Sequence, residues 1–78
     1  MGRDEGILLR PASSVHTAFM RFPIDAVFLD RELRVIRIAA ELKPWRAAGC
    51  RGARAVLELS SGESERRGVR PGDQLVLV

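Results

Sequence analysis

The sequence predicts a mainly β fold: a small single-domain β-sandwich or barrel of short strands, with one short helix near residues 61–67. Three observations predict it. The chain has 78 residues, 46% of them apolar and 29% charged. That is one domain, spanning 1–78, and too apolar for a disordered chain. The apolar segments are cut at short intervals by Pro11, Pro23, Pro44, Gly49, Gly52, Gly62, Gly68 and Pro71-Gly72. That spacing suits short strands better than a helical bundle. Finally, Ala26-Val27-Phe28-Leu29 is bulky and unbroken between Asp25 and Asp30, as expected of a strand covered on both faces.

Each element follows from its residues. Ile7-Leu8-Leu9 reads as a short strand stopped by Pro11, and Val15 to Met20 as a second extended piece. Residues 25–30 form the clearest strand. Asp30 to Leu33 supplies a hairpin turn, and Arg34 to Ala40 returns beside it until Pro44 opens a basic loop. Ala53 to Leu59 is a further strand, with Ala55, Leu57 and Leu59 on one face and Arg54, Val56 and Glu58 on the other. A turn or two of helix follows. Ser60 or Ser61 can cap it, Glu63 lies in its first turn, and Arg66 and Arg67 lie in its last. Gly68 suits a left-handed stop. Arg70-Pro71-Gly72-Asp73 fits a type II turn, and Gln74 to Val78 is expected to be the closing strand.

Composition excludes several classes. No apolar run approaches the roughly 18 residues of a membrane span. The start, Met1-Gly2-Arg3-Asp4-Glu5-Gly6, has no signal-peptide core, so a cytoplasmic location is expected. The single cysteine, Cys50, rules out an intrachain disulfide and any paired-cysteine metal motif. No cofactor and no metal are expected.

The net charge is +3. Twelve of the thirteen basic residues are arginine and one is Lys43. Between Leu42 and Leu57 no acidic residue occurs, while Lys43, Arg46, Arg51 and Arg54 do, with Trp45 among them. Such a loop suits an anionic partner. The chain has only four aromatic residues (Phe19, Phe22, Phe28 and Trp45), few for a base-stacking platform, so nucleic acid is not the expected partner.

Two stretches carry a family resemblance: Ser14-Val15-His16-Thr17, and Met20-Arg21-Phe22-Pro23 running on to Asp30. The later marks agree with it: Pro44-Trp45-Arg46, Cys50-Arg51-Gly52 through Leu59, Gly62, and Gly68-Val69-Arg70-Pro71-Gly72-Asp73. From about Gly6 to Val78 the sequence resembles the domain-of-unknown-function 192 family of bacteria and archaea. The resemblance implies a mainly β sandwich or barrel with no known cofactor and no established activity. It also implies a further N-terminal segment before Gly6-Ile7-Leu8-Leu9, without which a sheet edge would be exposed and a homodimer could form there. Members with the His-Thr motif often carry a cysteine where this chain has Ala12, opposite one equivalent to Cys50.

The candidate site residues come from two segments, 14–25 and 43–54, expected to form a polar groove. His16 is the one side chain expected to titrate near neutrality. Arg21 and Arg46 would engage an anionic or hydroxylated ligand, Trp45 would stack on it, and Met20 and Asp25 complete the candidate set. Asp25 can equally pair with Arg21 or with a loop arginine as a structural ion pair. Trp45 can equally plug one end of a barrel, and Met20 can fill core. The expectation is a non-enzymatic binding or assembly module for an unknown small ligand or protein. Two alternatives stand beside it. A hydrolase would use Cys50 as nucleophile and His16 as base; the plainer reading has an inert thiol and a structural histidine. A polyanion binder would use the arginine-rich loop. A copper(I) site of His16, Met20 and Cys50 has the right soft ligands but no motif.

Overall fold

Residues 24–29 hold five apolar side chains and one carboxylate, so a strand made of them needs cover on both faces. In the computed structural model, which describes residues 6–17 and 21–76, they have it: all six are buried. This strand, β3 (Ile24–Leu29), lies inside a four-stranded antiparallel sheet. Its companions are β1 (Ile7–Leu9), β4 (Val35–Leu42) and β6 (Ala55–Ser60), in the order β1-β6-β3-β4. A separate pair, β2 (Ser14–His16) with β5 (Ala47–Gly49), forms a second small antiparallel sheet. The helix is α1 (Glu63–Arg66).

Side-chain alternation along β3 divides the core in two. Ile24, Ala26 and Phe28 face the small sheet and pack with Val15, Ala53 and Val56, flanked by Ala12, Ala48 and Cys50. Val27 and Leu29 face the other way, onto Val35, Ala55 and Leu59, with Leu33, Val69 and Leu75 closing over them. β6 follows the same alternation, and its Val56 and Leu59 are buried on opposite faces. The Phe28 ring is fully buried, with the Arg37 guanidinium 5.6 Å from its centroid. Burying such a ring contributes about 2–3 kcal/mol.

The local signals hold where they were strongest. The Asp30 carboxylate accepts the Glu32 and Arg34 amides at 2.8 and 2.9 Å, and Leu33 takes the left-handed conformation that closes the hairpin. Those amides hold the Asp30 carboxyl below its ordinary range, the Arg34 bond being the largest cause. Gly68 is left-handed; its N–H bonds to the Glu65 carbonyl and that of Val69 to the Ser64 carbonyl. This is the Schellman stop. Gly72 is left-handed too, and Asp73 N–H bonds to the Arg70 carbonyl, as a type II turn requires.

Two expectations are corrected, and a third is only partly described. The 43–54 stretch contains a strand, β5, because pairing with β2 overrides the weak strand preference of Ala47-Ala48-Gly49. Gln74 to Val78 does not form a closing strand within the described residues. Gly72 and Asp73 bond to Val35, Gln74 makes an isolated bridge with Arg34, and Val76 is 78% exposed; residues 77–78 lie outside the described residues. Of the second extended piece, 15–20, residues 15 and 16 are strand, as expected, within β2, and 18–20 lie outside the described residues.

The helix cap is also different. Ser60 is held in β6 opposite Ile24, and the N-cap position belongs to Gly62, whose left-handed backbone carries no side-chain cap. The cap comes from β3. The fully buried Asp25 carboxylate accepts the Gly62 and Ser64 amides at 3.2 and 2.9 Å and the Ser64 hydroxyl at 2.6 Å. It also accepts the Glu41 amide of β4 at 2.8 Å. Burial pushes this carboxyl up, but the Ser64 hydroxyl and the three N–H groups outweigh it and hold it below the usual range.

Among the described residues no helix is long and apolar enough to cross a membrane. At the β1 edge of the larger sheet, Ile7 and Leu9 are exposed.

Two buried carboxylates give opposite predictions. Asp25→Ala leaves three amides and a buried hydroxyl without their acceptor and should cost about 3 kcal/mol or more, against about 1 kcal/mol for Ser64→Ala. Because its folded pKa is depressed, Asp25 stabilises fully above about pH 4, the ordinary carboxylate range. That contribution disappears as pH falls through the folded value. Urea midpoints taken from neutral to acid pH should therefore fall less steeply for Asp25→Asn than for the parent. Glu58 is buried opposite Ala26, and that burial raises its pKa. A raised carboxyl adds no penalty below the unfolded value and a full one above the folded value. Glu58→Gln should melt higher than the parent at pH 7, with the difference closing below about pH 4.

Candidate binding face

One end of the larger sheet gathers most of the candidate residues. Ile24 pairs with Leu42 on one side and with Ser60 on the other. The chain entering β3 (21–23), the chain leaving β4 (43–46) and the chain turning into α1 therefore all emerge at that end. The small sheet reaches it as well, because His16 pairs with Ala47.

Thr17 locks these segments together. It is fully buried, and its hydroxyl accepts the Arg46 amide at 2.7 Å while donating toward the Lys43 and Arg46 carbonyls at 2.7 and 2.9 Å. Its own main chain bonds to Arg46 and to the Trp45 amide at 2.8 and 3.1 Å. So tied, Trp45 adopts a left-handed backbone and remains 63% exposed. A bulky residue in that conformation costs about 1 kcal/mol or more. Phe22 is 74% exposed, and His16, Arg21 and Arg46 are exposed. The two predicted segments do meet, through the β2–β5 ladder and the Thr17 bonds. Sequence reasoning missed Thr17. A threonine beside a histidine carries no local sign that it will bond a loop more than twenty residues away.

One candidate leaves the set, and another falls where the structure is not described. Asp25 is not on the face: its carboxylate is turned inward to α1 and β4, and the donors to it are amides and a hydroxyl rather than Arg21 or a loop arginine. Met20 lies outside the described residues. Trp45 does not plug a barrel end, since it is exposed.

The Cys50–His16 pair is not formed. Cys50 follows the Ser14–Gly49 pair, and its amide bonds to the Ser13 carbonyl. His16 pairs with Ala47 at the other end of the ladder. Three register steps separate them, about 10 Å, and the alternation sends them to opposite faces. Cys50 packs on the core beside Ala12 and Ala48, with its thiol toward the Arg51 carbonyl, while His16 is exposed. A general base must lie within hydrogen-bond reach of its nucleophile, so the hydrolase reading fails on geometry. The same separation undoes the copper(I) set. Among the described residues no three His, Cys, Asp or Glu side chains are grouped to hold a metal ion.

At the opposite end of β3 lies an open cleft of about 340 Å³ lined by Arg10, Pro11, Arg31 and Arg54. Only Arg54 was singled out from the sequence, as part of the basic loop. The three arginines sit in separate segments, and no periodicity connects them.

The register generates a direct prediction. His16→Ala should leave the rate of Cys50 alkylation at pH 7 unchanged within about twofold, because a base about 10 Å away cannot activate a thiol. A drop of tenfold or more, followed by mass spectrometry of iodoacetamide-treated protein, would contradict the register.

Comparison with known proteins matches this architecture. A protein of unknown function from Novosphingobium aromaticivorans DSM 12444 has a similar structure, with a TM-score of 0.87 and 28% sequence identity. The match covers 99% of this chain and 60% of that one, so the chain spans about three-fifths of that protein's length. None of the curated proteins matches the sequence. The family model DUF192, described as "Uncharacterized ACR", matches residues 1–77. The chain therefore belongs to the DUF192 family, as a small β-module of that family.

Proposed function

We propose that this β-module is a non-enzymatic binding or assembly domain whose binding face is the Trp45–Arg46 end of the sheet. One observation carries the reading: the chain's single tryptophan is held 63% exposed on an unfavourable backbone by a buried threonine. Strain of that kind persists only where surrounding bonds enforce it, and it concentrates at functional positions. Tryptophan and arginine are also the side chains that most often dominate binding energy.

In this reading Trp45 stacks on an apolar ring or sugar face. Arg46 and Arg21 direct their guanidinium forks at carboxylate, phosphate or hydroxyl oxygens. Exposed His16 adds a polar contact beside them. Asp25 acts at one remove, by fixing β4 and α1 behind the face.

The single tryptophan makes the test specific. Its fluorescence should respond saturably to at least one member of a panel of sugar phosphates, dicarboxylates, neutral disaccharides and arginine- or proline-containing peptides. For that ligand, Arg46→Ala should weaken binding about tenfold or more, the loss of one charge-assisted hydrogen bond. Trp45→Ala, followed by calorimetry, should weaken it at least as much. A ligand whose affinity neither substitution moves would overturn the reading.

A further inference from the structure

We infer that the cleft at the far end of β3 is a second binding site, specific for a small oxyanion group of two or more negative charges. The lining carries the argument. Arg10, Arg31 and Arg54 come from the end of β1, the hairpin after β3 and the approach to β6. Two main-chain bonds draw these carriers together: Arg54 N–H donates to the Leu29 carbonyl at 2.8 Å, and Ala12 N–H donates to the Arg54 carbonyl at 3.0 Å. Arg31 follows Leu29 by two residues, in a hairpin stiffened by the Asp30 carboxylate. The guanidinium groups are therefore mounted on fixed backbone, and Pro11 forms an inert wall between them.

Arginine does not relieve crowding by losing its proton. Three such groups around one open cleft raise the local positive potential and favour an anion there. Among the described residues, neither ion pair involves them: Glu63 takes Arg66 and Arg67. Of the two acids that flank Arg31, Asp30 has its Oδ1 occupied by the Glu32 and Arg34 amides, and Glu32 is exposed in the hairpin. A compact dianion or trianion complements that potential, and its oxygens match the guanidinium fork. The cleft volume lies in the range of small-molecule sites, about 300–1,000 Å³. A nucleic-acid strand fits less well. Strand binding needs stacking platforms along the track, and the exposed aromatics Phe22 and Trp45 sit at the other end of β3, about 17 Å of strand away.

The test uses the full chain and calorimetric titration with pyrophosphate and with citrate, sodium chloride holding the ionic strength constant. One of them should bind saturably at one site per chain with a Kd of about 1 mM or tighter. The preferred anion distinguishes a phosphate-bearing ligand from a carboxylate-bearing one. Arg10→Gln, Arg31→Gln and Arg54→Gln should each weaken binding about tenfold or more. Lys43→Gln, with the same loss of one charge at the opposite end, should change it less than twofold. Trp45 fluorescence should stay still throughout, which separates this site from the proposed face. These arginines are exposed, so the variants should fold, as circular dichroism will check. No saturable binding, or equal weakening by Lys43→Gln, overturns the inference. So does binding of a single-stranded oligonucleotide alone, with affinity falling steeply as salt rises.

Discussion

A carboxylate without contact to water survives inside a protein only if other groups replace its hydration. Asp25 meets that condition with four donors from three places: Gly62 at the helix N-cap, Ser64 twice, and Glu41 on β4. Four residues of helix cannot stand alone, because nucleation is unfavourable and too few bonds follow. Here the orphan amides of α1 are satisfied from β3, and its other end is closed by Gly68. The same carboxylate holds Glu41 in a left-handed conformation at the last turn of β4. That bend sends Lys43 to Arg46 across toward Thr17, which ties them down. The position of the exposed Trp45 is thus the end of a chain of constraints that begins at Asp25.

Glu58 gives the contrast. It is buried one register position away, opposite Ala26, and burial alone sets its pKa. Asp25 is lowered and Glu58 is raised, although both lie in adjacent strands of the same sheet. Hydrogen-bond donors make the difference. One carboxylate organises the fold around its charge, and the other is tolerated within it.

What was legible in the sequence is what is decided locally. The unbroken apolar run marked β3, Asp30 marked its hairpin, and Gly68 and Pro71-Gly72 marked the helix stop and the turn after it. Each of these depends on residues within a few positions. The misses all depend on pairing across distance. Nothing in Ala47-Ala48-Gly49 announces a strand until β2 lies beside it. Ser60 and Ser61 look like caps until β6 holds Ser60 and Asp25 reaches in from β3. Cys50 and His16 look like a catalytic pair in composition, and only the β2–β5 register separates them. Arg10, Arg31 and Arg54 share no motif, yet two main-chain bonds bring their segments together.

The distribution of arginine follows from the same geometry. Arg66 and Arg67 serve Glu63 on the helix, and Arg37 covers Phe28 while donating to the Gly49 carbonyl. These positions are structural. Arg21 and Arg46 flank one end of β3, and Arg10, Arg31 and Arg54 line the cleft at the other. Two groups of arginines of different character result. One is joined by exposed aromatic surface, which favours stacking and extended partners. The other lines an open cleft of Arg10, Pro11, Arg31 and Arg54, without aromatics. Both are anchored to β3, a strand with every residue buried. One rigid central strand thus holds the two dissimilar basic ends at a fixed separation.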